Sequence, residues 1–256
     1  MNVLWPRQSG LLFTGPDPIT RGLYAEAIPL GTIISSFVVI FICARVGHER
    51  WQLVIFMICE TALIGSLASV GLDDKVQAII TIVCLSSTVT PPQLLSFTML
   101  SLGIDDQVDI GIAVGLAGTF RLMGGAIATA IYTAIVNNGF AEHLPGEVLS
   151  AVSGLDFPSS NMAALLKAAA VNTAAAYKTV PGISTTVIAA TQLAVKKAYV
   201  SAFSTTYLAA IAFGCLATVA AFFTRDIDPK MKSSSKAVTL ENEKKKSEEE
   251  VSTDRV

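Results

Sequence analysis

Three stretches of this 256-residue chain carry no charged side chain at all: residues 27–44, 76–104 and 198–224. A fourth, residues 51–72, carries only Glu60, and a fifth, residues 109–136, carries only Arg121 after the Asp109 that opens it. A hydrocarbon core about 30 Å thick is crossed by roughly 20 helical residues rising 1.5 Å each. Runs of this length with so few charges predict an all-α, polytopic membrane protein with five spans, near residues 24–44, 51–72, 76–102, 109–136 and 201–223. Charged residues make up 15% of the chain, against about 25% in ordinary soluble proteins. Of its 18 Lys/Arg and 20 Asp/Glu, sixteen fall within residues 225–256.

Between the spans the turn chemistry sets the expected boundaries. Trp5-Pro6, Gly15-Pro16 and Asp17-Pro18 mark residues 1–23 as an extracytoplasmic segment of loops rather than helix. Asp73, Asp74 and Lys75 form a turn, and Asp105, Asp106 and Asp109 an acidic loop. Asn137-Asn138-Gly139 is expected to stop the fourth span. Residues 137–200 are then expected to be an extracytoplasmic loop with surface helices. Residues 224–256, including KKKSEEE, are expected to form a disordered cytoplasmic tail. Counting Lys and Arg near the span ends gives six against five in favour of an interior tail.

The fourth span concentrates the chemistry. Its 28 residues would extend roughly 42 Å, with Arg121 roughly 18 Å from Asp109 and so near mid-bilayer. An arginine there costs about 2.5–3.5 kcal/mol on the most lenient scale and must face protein or water. It is a candidate cavity or gating charge, or alternatively the partner of a loop carboxylate in a purely structural pair. Gly111, Gly115, Gly118, Gly124 and Gly125 on the same helix are candidates for close helix packing. Glu60, deep in the second span, is a candidate proton carrier, ion-pair partner of Arg121 or helix-packing hydrogen-bond donor. Pro91-Pro92-Gln93 in the third span removes two backbone donors, which kinks or breaks a helix. Broken helices at membrane depth line cavities, so Thr90 and Gln93 are candidate cavity groups, a packing kink being the alternative.

The loop CARVGHERW, residues 43–51, resembles the D-R-x-G-R-R loop motif of the major facilitator superfamily. Arg45, Gly47 and Arg50 match it, while Ala44 replaces the acid and His48-Glu49 the basic pair. MNVLWPRQSGLLF, IPLGTIISS and GLAGTFRLMGGAIATAIYTAIVNN are more specific. Together these segments resemble the carboxy-terminal portion of fungal drug:proton antiporters with fourteen helices, closest to the trichothecene efflux pump family. That resemblance implies that the five helices form most of the second bundle of a major facilitator transporter. It also implies that the arginine loop and the tail face the cytoplasm. The first bundle, which supplies the other wall of the central site, is expected to be needed for function.

The implied function is proton-coupled efflux of a small apolar toxin or drug across a plasma, vacuolar or vesicle membrane, with protons, the substrate and lipid as partners. Siderophore–iron transport on the same scaffold is one alternative, and a truncated membrane protein that does not transport is another. Enzymatic chemistry fits poorly: His48 and His143 stand apart, and no nucleophile–base pair or metal set is apparent. Cys43, Cys59, Cys84 and Cys215 all fall within predicted spans as packing residues. No catalytic residue, metal or cofactor is expected, and no basic stripe indicates nucleic acid.

Overall fold

The computed structural model describes residues 3–15, 17–46, 48–104, 107–155 and 157–224. The expected tail, the acidic pair Asp105 and Asp106, and Gly47 of the arginine loop lie outside the described residues. Every regular element described is helical. Five helical stretches are long and apolar enough to cross a bilayer, the number expected: Pro18–Cys43, Glu49–Ala68, Lys75–Gly103, Asp109–Val152 and Thr185–Phe222.

The chain begins with helix where the turn residues predict loop. Helix α1, Leu4–Ser9, passes into a π-helical turn, Gly10–Thr14. Pro6 lies in the first turn of α1, where the backbone N–H has no helical partner to lose. The reason this segment folds is tertiary. Trp5 is wholly buried, and its indole N–H donates to the Tyr24 carbonyl at 2.7 Å. Gln8 is buried too, accepting a hydrogen bond from the Tyr207 hydroxyl at 2.5 Å. Asp17-Pro18, expected as a turn, starts a helix instead. Asp17 caps α2, Pro18–Ala25, by accepting from the Ile19 and Thr20 amides, with Pro18 at the first helical position. Those bonds, led by the Thr20 hydroxyl, hold the Asp17 carboxyl below its ordinary range.

Helix α3, Ala27–Val38, continues through a π-helical stretch, Val39–Cys43, into α4, Ala44–Val46. His48 turns the chain with a left-handed backbone, φ 56°, into α5, Glu49–Ala68. Helix α6, Lys75–Gly103, contains Pro91 and Pro92 without interruption, and both are buried. Packing holds this turn together despite the two missing donors. Helix α3 lies on α6, α6 on α5, α5 on α10 (Thr185–Phe222), and α10 on α7 (Gln107–Val152).

The fourth span does not stop at Asn137-Asn138-Gly139. Helix α7 runs through it and through Pro145 to Val152, 46 residues in all. At 1.5 Å per residue that is about 69 Å, more than twice a hydrocarbon core. Gly139 is a contact point rather than a stop: a Cβ placed there would lie 3.4 Å from Ala202 Cα. Phe140 stacks on Tyr199 at 4.0 Å beside it. Close packing of α7 on α10 overrides the low helix propensity of this tripeptide. Likewise α10 starts at Thr185, not near Ser201, so the apolar Thr-rich segment is the head of the last long helix. The outer parts of α7 and α10, with α8 (Met162–Val171) and α9 (Ala174–Lys178), enclose a second core around Leu144, Val148, Leu165, Tyr177 and Val195. The expected loop of residues 137–200 is therefore a helical cap with its own interior.

Two glycines set the closest helix approaches, and neither belongs to the α7 series. A Cβ on Gly31 of α3 would lie 2.5 Å from both the Val83 carbonyl oxygen and Ser86 Cβ of α6. A Cβ on Gly214 of α10 would lie 2.6 Å from Thr61 Oγ1 of α5. At Gly111, Gly115, Gly118, Gly124 and Gly125 no other described element comes within 4 Å of such a Cβ. Gly31→Ala is therefore expected to destabilise the bundle by about 1–3 kcal/mol, and Gly111→Ala not to. Thermal unfolding of the two variants in lipid nanodiscs checks this, and equal midpoints would refute it.

Candidate functional site

Helices α5, α6 and α7 meet around a cavity of about 330 Å³. Each contributes one polar side chain that the sequence marks out. Glu60 comes from the middle of α5, Gln93 from the turn after Pro91 and Pro92 on α6, and Arg121 from α7. Arg121 Nη2 donates to Gln93 Oε1 at 2.7 Å. No ion pair joins Arg121 to Glu60, and none joins it to a loop carboxylate among the described residues. Glu60 Oε1 is buried and has no hydrogen-bond partner.

The rest of the wall is mostly apolar. Ser96, Phe97 and Leu100 continue the Gln93 face at helical spacing, and Met57 lies one turn before Glu60. Ser96 Oγ is occupied with the Pro92 carbonyl at 2.6 Å. These wall residues are legible in principle, as the i+3, i+4 and i+7 neighbours of Gln93. Thr90 does not line the cavity. It sits three residues before Gln93 on α6 and is half-buried, while Val89 takes the place on the wall.

Arg121 borders a second space as well. A groove of about 1000 Å³ runs along α7 from Arg121 past Gly125, Thr129 and Thr133 to Asn137. Every residue lining it belongs to α7, and no described residue from 109 to 135 is buried. At its far end Asn137 Oδ1 accepts from Arg7 Nη2 at 2.6 Å, which ties the amino-terminal helix to α7. The two spaces share Arg121, so its guanidinium stands between the bundle interior and the open side of α7.

At the opposite end the arginine loop fastens α5 to α10. Arg50 Nη2 donates to the Phe222 carbonyl at 2.5 Å, and the Trp51 ring meets Phe222 edge-on at 6.1 Å. A cation beside the last carbonyls of a helix is favourable there. Arg45 is exposed and lies over the Phe41 ring at 5.9 Å.

Three apolar helices thus bring a carboxyl, an amide and a guanidinium to one cavity. The family described as "Fungal trichothecene efflux pump (TRI12)" matches residues 21–254. This chain belongs to that family. It is a multi-pass membrane protein. Among its relatives, the "Trichothecene efflux pump TRI12" of Fusarium sporotrichioides is 27% identical over 183 residues, 72% of this chain and 30% of the relative. The "MFS-type transporter prx5" of Penicillium rubens is 27% identical over 235 residues, 90% of this chain and 42% of the relative. The "Trichothecene efflux pump TRI12" of Trichoderma arundinaceum is 25% identical over 211 residues, 81% of this chain and 33% of the relative. This family member thus spans between 30% and 42% of the length of those relatives. No solved structure matches it.

Proposed function

We propose that the cavity between α5, α6 and α7 is one wall of a central site through which a small, largely apolar compound leaves in exchange for protons. The observation that carries this reading is the convergence of Glu60, Gln93 and Arg121, from three separate spans, on one cavity. Its apolar wall suits an apolar compound, and Gln93 and Arg121 offer donors to that compound's oxygen atoms. Glu60 supplies a carboxyl able to take up and release a proton within the membrane. A trichothecene, the class in the names of the Fusarium and Trichoderma relatives, is the first substrate to try. The arginine loop faces the cytoplasm in this reading, and the helical cap lies on the other side.

The open side of α7 bears on the mechanism. Alternating access requires one helical bundle to rock against another about a shared site. Among the described residues the groove along α7 is lined by α7 alone, so transport draws on further helices seated there, and this chain expressed alone confers no resistance.

The test joins this chain to the amino-terminal helices of the Fusarium relative in a toxin-sensitive yeast and follows a labelled trichothecene. Accumulation should fall while the pH gradient stands and recover when an uncoupler collapses it. Glu60→Gln should lose gradient-driven efflux yet keep exchange of substrate between equal pools. Unaltered accumulation would overturn export, and efflux indifferent to the gradient would overturn proton coupling.

A further inference from the structure

A groove of about 340 Å³ lies between the first span and α6, and shares no residue with the cavity described above. Leu23, Leu30 and Ile33 form one wall, and Ile79 and Val83 of α6 the other. Glu26 lines it too, and no other charged residue does. The level of the groove in the membrane follows from the chain. Charge-free sequence begins at residue 27 on one wall and at residue 76 on the other, so Glu26 stands at the edge of the hydrocarbon. That edge is the one beside the helical cap. Tyr24 is bonded to Trp5, and Arg7 of the same short helix reaches Asn137, where the cap begins. From Leu23 to Ile33 the helical stretch rises about 15 Å, half of a core about 30 Å thick. The groove is as deep as one leaflet. Leu23, Leu30 and Ile33 are each more than half exposed, so it opens outward.

The carboxylate at its mouth has no counter-ion. Glu26 is exposed, and no described cation lies within ion-pair distance of it. Arg21, little more than a turn before it, lies against Gly10 instead, where a Cβ would stand 3.2 Å from Arg21 Nε. Lys75 is exposed at the start of α6, one turn before Ile79 and farther out. An ionised carboxylate offers acceptors and no donors. Set above an apolar groove one leaflet deep, it suits a ligand that joins an N–H cation to an acyl chain.

We propose that this groove holds a phospholipid of the cap-side leaflet by its primary ammonium head. The ammonium donates to the Glu26 carboxylate, and one acyl chain lies along Leu30, Ile33, Ile79 and Val83. The head has to keep an N–H. A trimethylated ammonium has none to give, so a phosphatidylethanolamine is held in preference to a phosphatidylcholine with the same chains. Bound in this way, the lipid bridges α3 and α6 at their cap-side ends. Burial of the chain against four branched side chains supplies attraction for either lipid, and Glu26 supplies the choice between them.

The test is native mass spectrometry of the chain released from nanodiscs of dioleoyl phosphatidylethanolamine and dioleoyl phosphatidylcholine in equal parts. Lipid that stays bound should favour the ethanolamine head about threefold to tenfold, between the worth of an exposed ion pair and of a hydrogen bond to a charge. Glu26→Gln, which keeps the shape and removes the charge, should retain the two lipids equally. Ile33→Trp, which fills the groove, should retain less of both. A further arm needs no variant. In discs that pair phosphatidylcholine with N-monomethyl phosphatidylethanolamine, the monomethyl lipid still has N–H groups to donate and should still be preferred. Equal retention by the parent chain, or a preference that Glu26→Gln leaves intact, overturns the proposal. The same measurement on the chain fused to the amino-terminal helices of the Fusarium relative should give the same preference. Its disappearance there would mean that a protein helix covers the groove, and would overturn the lipid as occupant. None of these readouts needs transport.

Discussion

Alanine in place of Arg121 is expected to reduce efflux about tenfold to a hundredfold, the range that loss of hydrogen bonds made by a charged group predicts. Insertion and thermal stability should stay close to those of the parent. The side chain is exposed on a stretch of α7 where no described residue is buried, so its removal opens no void in the packed interior. Its hydrogen bond goes to Gln93, which can turn to water on the cavity side once the guanidinium is gone. What does disappear is the fixed cation of the cavity and the donors that a bound compound would meet. Arg121→Lys should recover part of the activity, because a lysine keeps the charge but loses the planar fork. The measurement is initial efflux rate per unit of inserted protein, with the chain fused to the amino-terminal helices of the Fusarium relative. Parental efflux in the alanine variant would reduce Arg121 to a structural residue.

The residues that mark the site stand out in the sequence for a reason that holds for any membrane chain. An ionisable group costs too much in a hydrocarbon environment to be there by accident, so Glu60 and Arg121 are conspicuous before any fold is known. Gln93 is marked by the two prolines before it. Thr90 is marked by the same prolines and sits off the wall, where Val89, four residues before Gln93, stands in its place. Glycines are less legible. Gly111, Gly115 and their neighbours have the spacing of a packing seam, yet Gly31 and Gly214 make the close approaches within this chain. What a glycine does is decided by the element opposite, and local spacing carries no record of that. The same blindness explains the ends of the long helices. Asn137-Asn138-Gly139 has the chemistry of a stop, but Ala202 and Tyr199 of α10 lie against it and the helix goes on. Trp5-Pro6 reads as a turn, and only the pocket formed with Tyr24 and Tyr207 makes it the first turn of a helix.

Leucine at Gly125 or Ala130 is expected to separate the fold of this chain from its activity more sharply than any other change. Both positions line the groove that runs along α7 from Arg121 to Asn137, and among the described residues α7 alone forms that groove. Gly125 is exposed, and among the described residues no other element comes within 4 Å of a Cβ built on it, so the position faces open space. Replacing a mid-helix glycine even favours the helix, by up to about 1 kcal/mol. The unfolding midpoint of the chain in nanodiscs should therefore hold steady or rise. Transport should be lost, because small residues at this spacing are what allow a second helix to approach backbone to backbone. The relatives, of which this chain spans between 30% and 42%, have the length to supply such helices. A Thr129→Ala variant, which keeps the face small, should transport as the parent does. If the leucine variants pump normally in the same fusion, the groove looks out on lipid, and the second wall of the site has to be sought on the α3 side of the bundle instead.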